Sequence, residues 1–141
     1  MVRGLITTAA AIAALVAAGC GGYGTGGTST TAGQSVLAGL WTGRLHQQGL
    51  APFNVMATIE SPAGASGNTV HYTGINCSGK WSYLDSSGSD YRFREVIDRG
   101  KGGKCKGVGV VTLATGSSTD RLGYEFRGGG VVSRGTLRRA G

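Results

Sequence analysis

From position 37 onward, apolar and polar side chains alternate in short runs broken by Gly, Ser, Asn and Asp. A period of two places successive side chains on opposite faces of an extended chain, so the pattern predicts β-strands rather than helices. The first run, 37–47, sets Trp41 and Leu45 on one face, and the second, 53–61, alternates Phe53, Val55, Ala57 and Ile59. Runs at 69–75 and 77–84 follow, the latter placing Cys77, Trp81 and Tyr83 on one side. In 91–97, Tyr91, Phe93, Glu95 and Ile97 oppose Arg92, Arg94 and Val96. Runs at 105–114, 120–127 and 131–139 complete the series, with turn-rich stretches at 61–68, 85–90 and 99–104. Short strands at roughly ten-residue spacing, with no helical pattern after Ala18, predict an all-β fold. The expected architecture is a small antiparallel up-and-down barrel of about eight strands; a two-sheet sandwich fits the same alternation.

The N-terminal residues follow a different rule. Arg3 precedes an uncharged run of fourteen residues, 5–18, which ends in Ala17, Ala18, Gly19 and Cys20. The run is too short to cross a bilayer comfortably as a helix and has the layout of a signal peptide. A cysteine directly after small residues resembles the lipobox of bacterial lipoproteins, although Ala17 stands where Leu is commoner. The resemblance implies cleavage before Cys20, diacylation of its thiol, and anchoring at the outer face of the cell membrane. An ordinary secretory signal with an incidental cysteine is the plainer alternative. The expected organisation is a lipoprotein signal peptide over 1–19, a lipidated Cys20 with a Gly/Ser/Thr-rich tether over 20–36, and a barrel domain over 37–141. Such a tether has a typical reach of roughly 20 Å.

Composition narrows the possible partners. The 141 residues hold 14 Lys and Arg against 7 Asp and Glu, a net charge of +7, which favours anionic partners. Phospholipid head groups and acidic wall polymers fit an exported protein, and nucleic acid is not expected there. With Cys20 assigned to lipid, Cys77 and Cys105 remain, and outside the cytoplasm such a pair forms a disulfide. Reduced thiols or a metal pair are the alternative.

Catalytic signatures are missing. His46 and His71 have no Cys or carboxylate at metal-ligand spacing, and no Gly-x-Ser-x-Gly elbow occurs. The formal dinucleotide fingerprint at Gly22, Gly24 and Gly27 falls in the tether, with neither strand before it nor helix after it. Neither an enzyme nor a cofactor is expected.

Gly39-Leu40-Trp41 resembles the Gly-x-Trp opening of calycin barrels such as lipocalins and avidins. The resemblance implies that an Arg near the last strand covers the Trp, here Arg138 or Arg139. A broader series is similar to a small extracytoplasmic domain of actinobacterial lipoproteins and of some receptor-type serine/threonine kinases. It comprises Trp41-x-Gly43, Tyr72, Cys77-Ser-Gly79, Phe93-x-Glu95-x-Ile97, Gly100, Cys105-x-Gly107, Leu113, Tyr124 and Leu137-x-Arg139. This resemblance implies a binding or sensing module.

Three groups of residues could carry that role. Glu95 faces inward by alternation and must be paired or take up a proton, because a lone buried charge is costly. Arg139, on the Leu137 face, is its expected partner; the pair is read either as a polar ligand site, with Trp41 near it, or as an ion pair fixing register. Arg92, Arg94, Arg99, Lys101, Lys104 and Lys106 form a basic strand and hairpin loop, read as an anion-binding tip or as a solvated edge. The aromatics Trp41, Trp81, Tyr72, Tyr83, Tyr91 and Tyr124 either line a cavity or make up the core. The expected function is a membrane-anchored, non-catalytic binding or sensing lipoprotein. The alternative is a phage- or prophage-encoded lipoprotein that excludes rival phages or hinders a membrane protein.

Overall fold

The computed structural model describes residues 36–60, 67–101 and 103–141. The expected signal peptide, lipidation at Cys20 and tether up to position 35 fall outside these residues. The chain forms β1 (Gly39–Gln47), β2 (Phe53–Ile59), β3 (Thr69–Thr73), β4 (Cys77–Ser87), β5 (Asp90–Arg99), β6 (Val108–Thr115), β7 (Arg121–Gly128) and β8 (Val131–Arg139). Each strand pairs antiparallel with the next, and β8 returns to pair with β1. The sheet is therefore a closed barrel and not a sandwich. Closure leaves no free edge for other chains to pair with.

Alternation drives this outcome, because every strand has an apolar set that must leave water. Phe53, Val55, Ala57 and Ile59 are buried along β2, and Tyr91, Phe93, Glu95 and Ile97 along β5. Trp41, Leu45, Trp81, Phe93, Val111, Leu113 and Leu137 fill the centre. Tight turns join the strands where glycine permits. Gly129 and Gly130 have φ of 56° and 78°, the left-handed pair that a two-residue hairpin matched to sheet twist requires.

The barrel has two unlike ends. At one, β1, β3, β5 and β7 begin; Leu37 lies there on a short helical segment with Val36 and is fully buried. This is the Trp41 end. The other is the disulfide end, where Cys77 opens β4 and bonds to Cys105, with Cα atoms 6.5 Å apart.

Three sequence expectations are corrected. Leu37 belongs to the helical segment rather than to the first strand, which begins at Gly39. Cys105 does not open β6; it sits in the preceding loop, bridged to Lys101, and Gly107 at φ 76° interrupts the extended path before Val108. The turn expected over 85–90 shrinks to Gly88 and Ser89. β4 runs on to Ser87 through an irregularity between Tyr83 and Asp85.

Candidate functional site

Glu95 is the one buried carboxylate among the described residues, at 3 % exposure. β5 directs it inward between Phe93 and Ile97, and three side chains from other strands complete its surroundings. The Tyr72 hydroxyl from β3 donates to Oε2 of Glu95. The indole Nε1–H of Trp81 from β4 donates to the same oxygen at 2.8 Å. Tyr124 from β7 stands 2.8 Å from the Tyr72 hydroxyl oxygen. Tyr72 has a single hydroxyl proton, already given to Glu95, so the Tyr124 hydroxyl donates to Tyr72.

Burial pushes the Glu95 carboxyl above the usual range, and the Tyr72 and Trp81 hydrogen bonds offset part of that rise. Burial likewise raises Tyr72 and Tyr124 well above the ordinary phenol value; Tyr124 and Glu95 add to the rise at Tyr72, whereas at Tyr124 Glu95 adds to it and the hydrogen bond to Tyr72 offsets part of it. Both phenols therefore stay protonated and act as donors. The cluster can hold or release one proton at Glu95. No nucleophile adjoins it in this hydrogen-bonded chain.

The cluster forms the floor of a mouth at the disulfide end. Gln47, Ser133, Lys104 and Lys106 stand at its rim, and Cys105 forms part of its wall. Ser133 donates to Gln47 Oε1 at 2.6 Å across the closing β1–β8 seam. The enclosed space is about 20 Å³, enough for a water molecule. The disulfide fixes Cys105, so it also holds the loop that supplies both rim lysines.

Arg139 is not the partner of Glu95. Its guanidinium covers the Trp41 ring at the opposite end and donates to the carbonyls of Val36 and Ala38, each at 2.6 Å. Trp41 in turn donates from Nε1 to the Leu37 carbonyl at 2.7 Å. The Arg-over-Trp arrangement implied by the Gly-x-Trp resemblance is therefore present, with Arg139 in that place. Trp41 and Arg139 plug the Trp41 end and share no site with Glu95.

The basic cluster also divides. Arg99, Lys101, Lys104 and Lys106 are exposed at the disulfide end. Arg92 lies at the other end of β5, paired with Asp85, and Arg94 faces outward between them. Most of the aromatics form the core; Tyr83 is only half-buried.

Gln47 and Ser133 were missed in the sequence. Ser133 shares the inward face of β8 with Leu137, which alternation could have flagged, but its link to Gln47 exists only once β8 closes onto β1. Among the described residues no three His, Cys, Asp or Glu side chains converge as a metal site. The chain matches no known family model, and no curated protein sequence matches it.

Proposed function

We propose that this protein is a lipid-anchored, extracytoplasmic, non-catalytic binding module that takes a small polar ligand at the disulfide end of its barrel. The observation that carries this reading is the Glu95 carboxylate on the floor of a mouth whose rim holds Lys104 and Lys106. The enclosed space admits a single water-sized group, so a floor that accepts hydrogen bonds beneath rim ammonium groups suits a ligand that inserts one donor group and rests its anion on the rim, such as a small zwitterion. The described chain begins at the Trp41 end. A tether lipidated at Cys20 would then leave the mouth facing away from the bilayer, toward aqueous ligands.

Thermal shift against a panel of small zwitterions, amines and carboxylates tests the mouth. A stabilising compound whose effect disappears in Glu95→Gln and persists in Arg139→Ala supports it. Equal shifts in wild type and Glu95→Gln remove the site. Intact mass of membrane-extracted protein tests the anchor, which predicts a diacylglyceryl increment on a chain starting at Cys20 and its absence in Cys20→Ser.

One surface feature favours a second reading. Val96 and Val108 are cross-strand partners on the outer wall, 40 % and 49 % exposed. Such an apolar strip could meet a membrane protein, as a phage-encoded exclusion lipoprotein would. Unchanged plating of a phage panel on expressing cells counts against it.

A further inference from the structure

We infer that the outer wall formed by β7, β8 and β1 is a docking surface for a linear, phosphodiester-linked polymer. It is separate from the mouth. Arg121 and Arg127 on β7, Arg134 and Arg138 on β8, and Arg44 on β1 are all exposed, because the alternate residues of these strands turn inward. The only acid in these strands is Glu125, which is occupied by Arg127 and Arg134.

Register brings the remaining arginines together. Arg121 is directly opposite Arg138, Arg138 is opposite Thr42, and Arg134 is opposite His46. Arg44, opposite Thr136, falls diagonally between Arg138 and Arg134. Adjacent strands are about 4.8 Å apart and alternate residues about 6.8 Å, so these cations form a continuous grid. A shallow groove along β1 lies at its edge, lined by Arg44 and His46, by Thr136 and Arg138 of β8, and by Met56 of β2. Among the described residues Arg44, Arg121 and Arg138 form no salt bridge, although the Asp120 carboxylate is held down in part by the charges of Arg121 and Arg138.

Like charges placed directly across a ladder cost stability, and Asp120 offsets part of that repulsion, so an anion lying over the Arg121–Arg138 pair relieves what remains. The chemistry of that anion follows from the pair. Guanidinium forks match phosphate oxygens bidentately, and a phosphodiester chain carries one permanent charge per repeat on a flexible backbone, so successive phosphates can lie over successive guanidiniums of the grid. A bilayer fits less well. Binding in the membrane interface combines cations with inserted apolar side chains. Yet the exposed Leu84, Val96 and Val108 lie on β4 to β6, and on this side the strands expose only Leu40 of β1 and Met56 of β2, too small an apolar pair to seat the wall in a bilayer.

The test is binding of the whole protein to synthetic poly(glycerol phosphate) across a salt series, beside poly-L-glutamate and anionic vesicles. About four phosphate contacts give a log affinity against log salt slope near −3. Arg44→Gln with Arg138→Gln should lower affinity about tenfold and flatten the slope, since each phosphate contact contributes to both. Lys101→Gln with Lys104→Gln should leave both within twofold, and thermal unfolding should show that each variant is folded. Equal loss in the lysine variant would reduce the effect to net charge and overturn the proposal. So would poly-L-glutamate binding equally well, vesicles binding more tightly, or no polymer binding at low salt. The Glu95→Gln variant should bind the polymer normally, which keeps this result independent of the mouth.

Discussion

Trp41 and Arg139 are cross-strand partners on the seam that closes the barrel, and the guanidinium lies 4.3 Å from the centroid of the indole ring. The ladder that joins the first strand to the last is thus locked where the chain enters and leaves. Arg139 also ties down the carbonyls of Val36 and Ala38, and Trp41 that of Leu37. One side chain joins both ends of the domain.

Arg139→Ala should therefore destabilise the barrel by about 1–2 kcal/mol, combining a lost cation–π contact with lost charged hydrogen bonds at an exposed position. Arg139→Lys should recover less than half, because one ammonium cannot stack on the ring and also reach two carbonyls. Urea unfolding followed by tryptophan fluorescence measures this. Equal stability of all three proteins would mean that the guanidinium contributes nothing at this seam.

Cys77 and Cys105 are separated by 28 positions. Closing a loop of that size stabilises the folded state by roughly 3.5 kcal/mol on the chain-entropy model. The double variant Cys77→Ser, Cys105→Ser should lose stability of that order. Amide exchange should rise first in the loop that holds Lys104 and Lys106, while β1 and β8 stay protected. A uniform rise across the barrel would argue against a local role in shaping the mouth.

The strands, the inward side of Glu95 and the cysteine pair were all legible in the sequence, because alternation reports which face a side chain occupies. It does not report height along the barrel. Glu95 and Arg139 matched as a pair on face alone, yet Glu95 lies midway along β5 beneath the mouth and Arg139 ends β8 over Trp41. Arg92 was grouped with the basic loop for the same reason, although seven residues of extended chain put it roughly 23 Å from Arg99. Height depends on how β8 meets β1, and closure also decides the Gln47–Ser133 contact and the arginine grid. Cys105 was misplaced because a loop bridge at Lys101 reads like a strand start.

Burial raises the Glu95 carboxyl, which makes the folded protein bind that proton more tightly than the unfolded chain. Its stabilising contribution is therefore full below the ordinary carboxylate value and is lost as pH rises through the folded value. The exposed carboxylates Asp85, Asp120 and Glu125 are lowered and act with the opposite sign, so the useful quantity is the difference between wild type and Glu95→Gln. Above about pH 4, wild type should lose stability relative to Glu95→Gln, by at most about 1.4 kcal/mol per pH unit, and level off once the pH has passed the folded value. A flat difference over that range would show that Glu95 titrates as an ordinary surface carboxyl.

Tyr72 gives its proton to Glu95 and accepts one from Tyr124, so its hydroxyl is the hinge of the network. Tyr72→Phe leaves Glu95 with Trp81 as its remaining donor and strands the Tyr124 hydroxyl in the core. The expected cost is about 2–3 kcal/mol, mainly the desolvation of groups that lose partners. The pH window of the wild-type linkage should also move upward, since a donor that favoured the ionised carboxylate is gone. In the Glu95→Gln background the same change should cost less, with a coupling of about 1 kcal/mol or more. A double-mutant cycle measured at two pH values separates this from simple packing. Additivity within about 0.3 kcal/mol at both, with no movement of the window, would make the hydroxyl a space-filler and Glu95 independent of it.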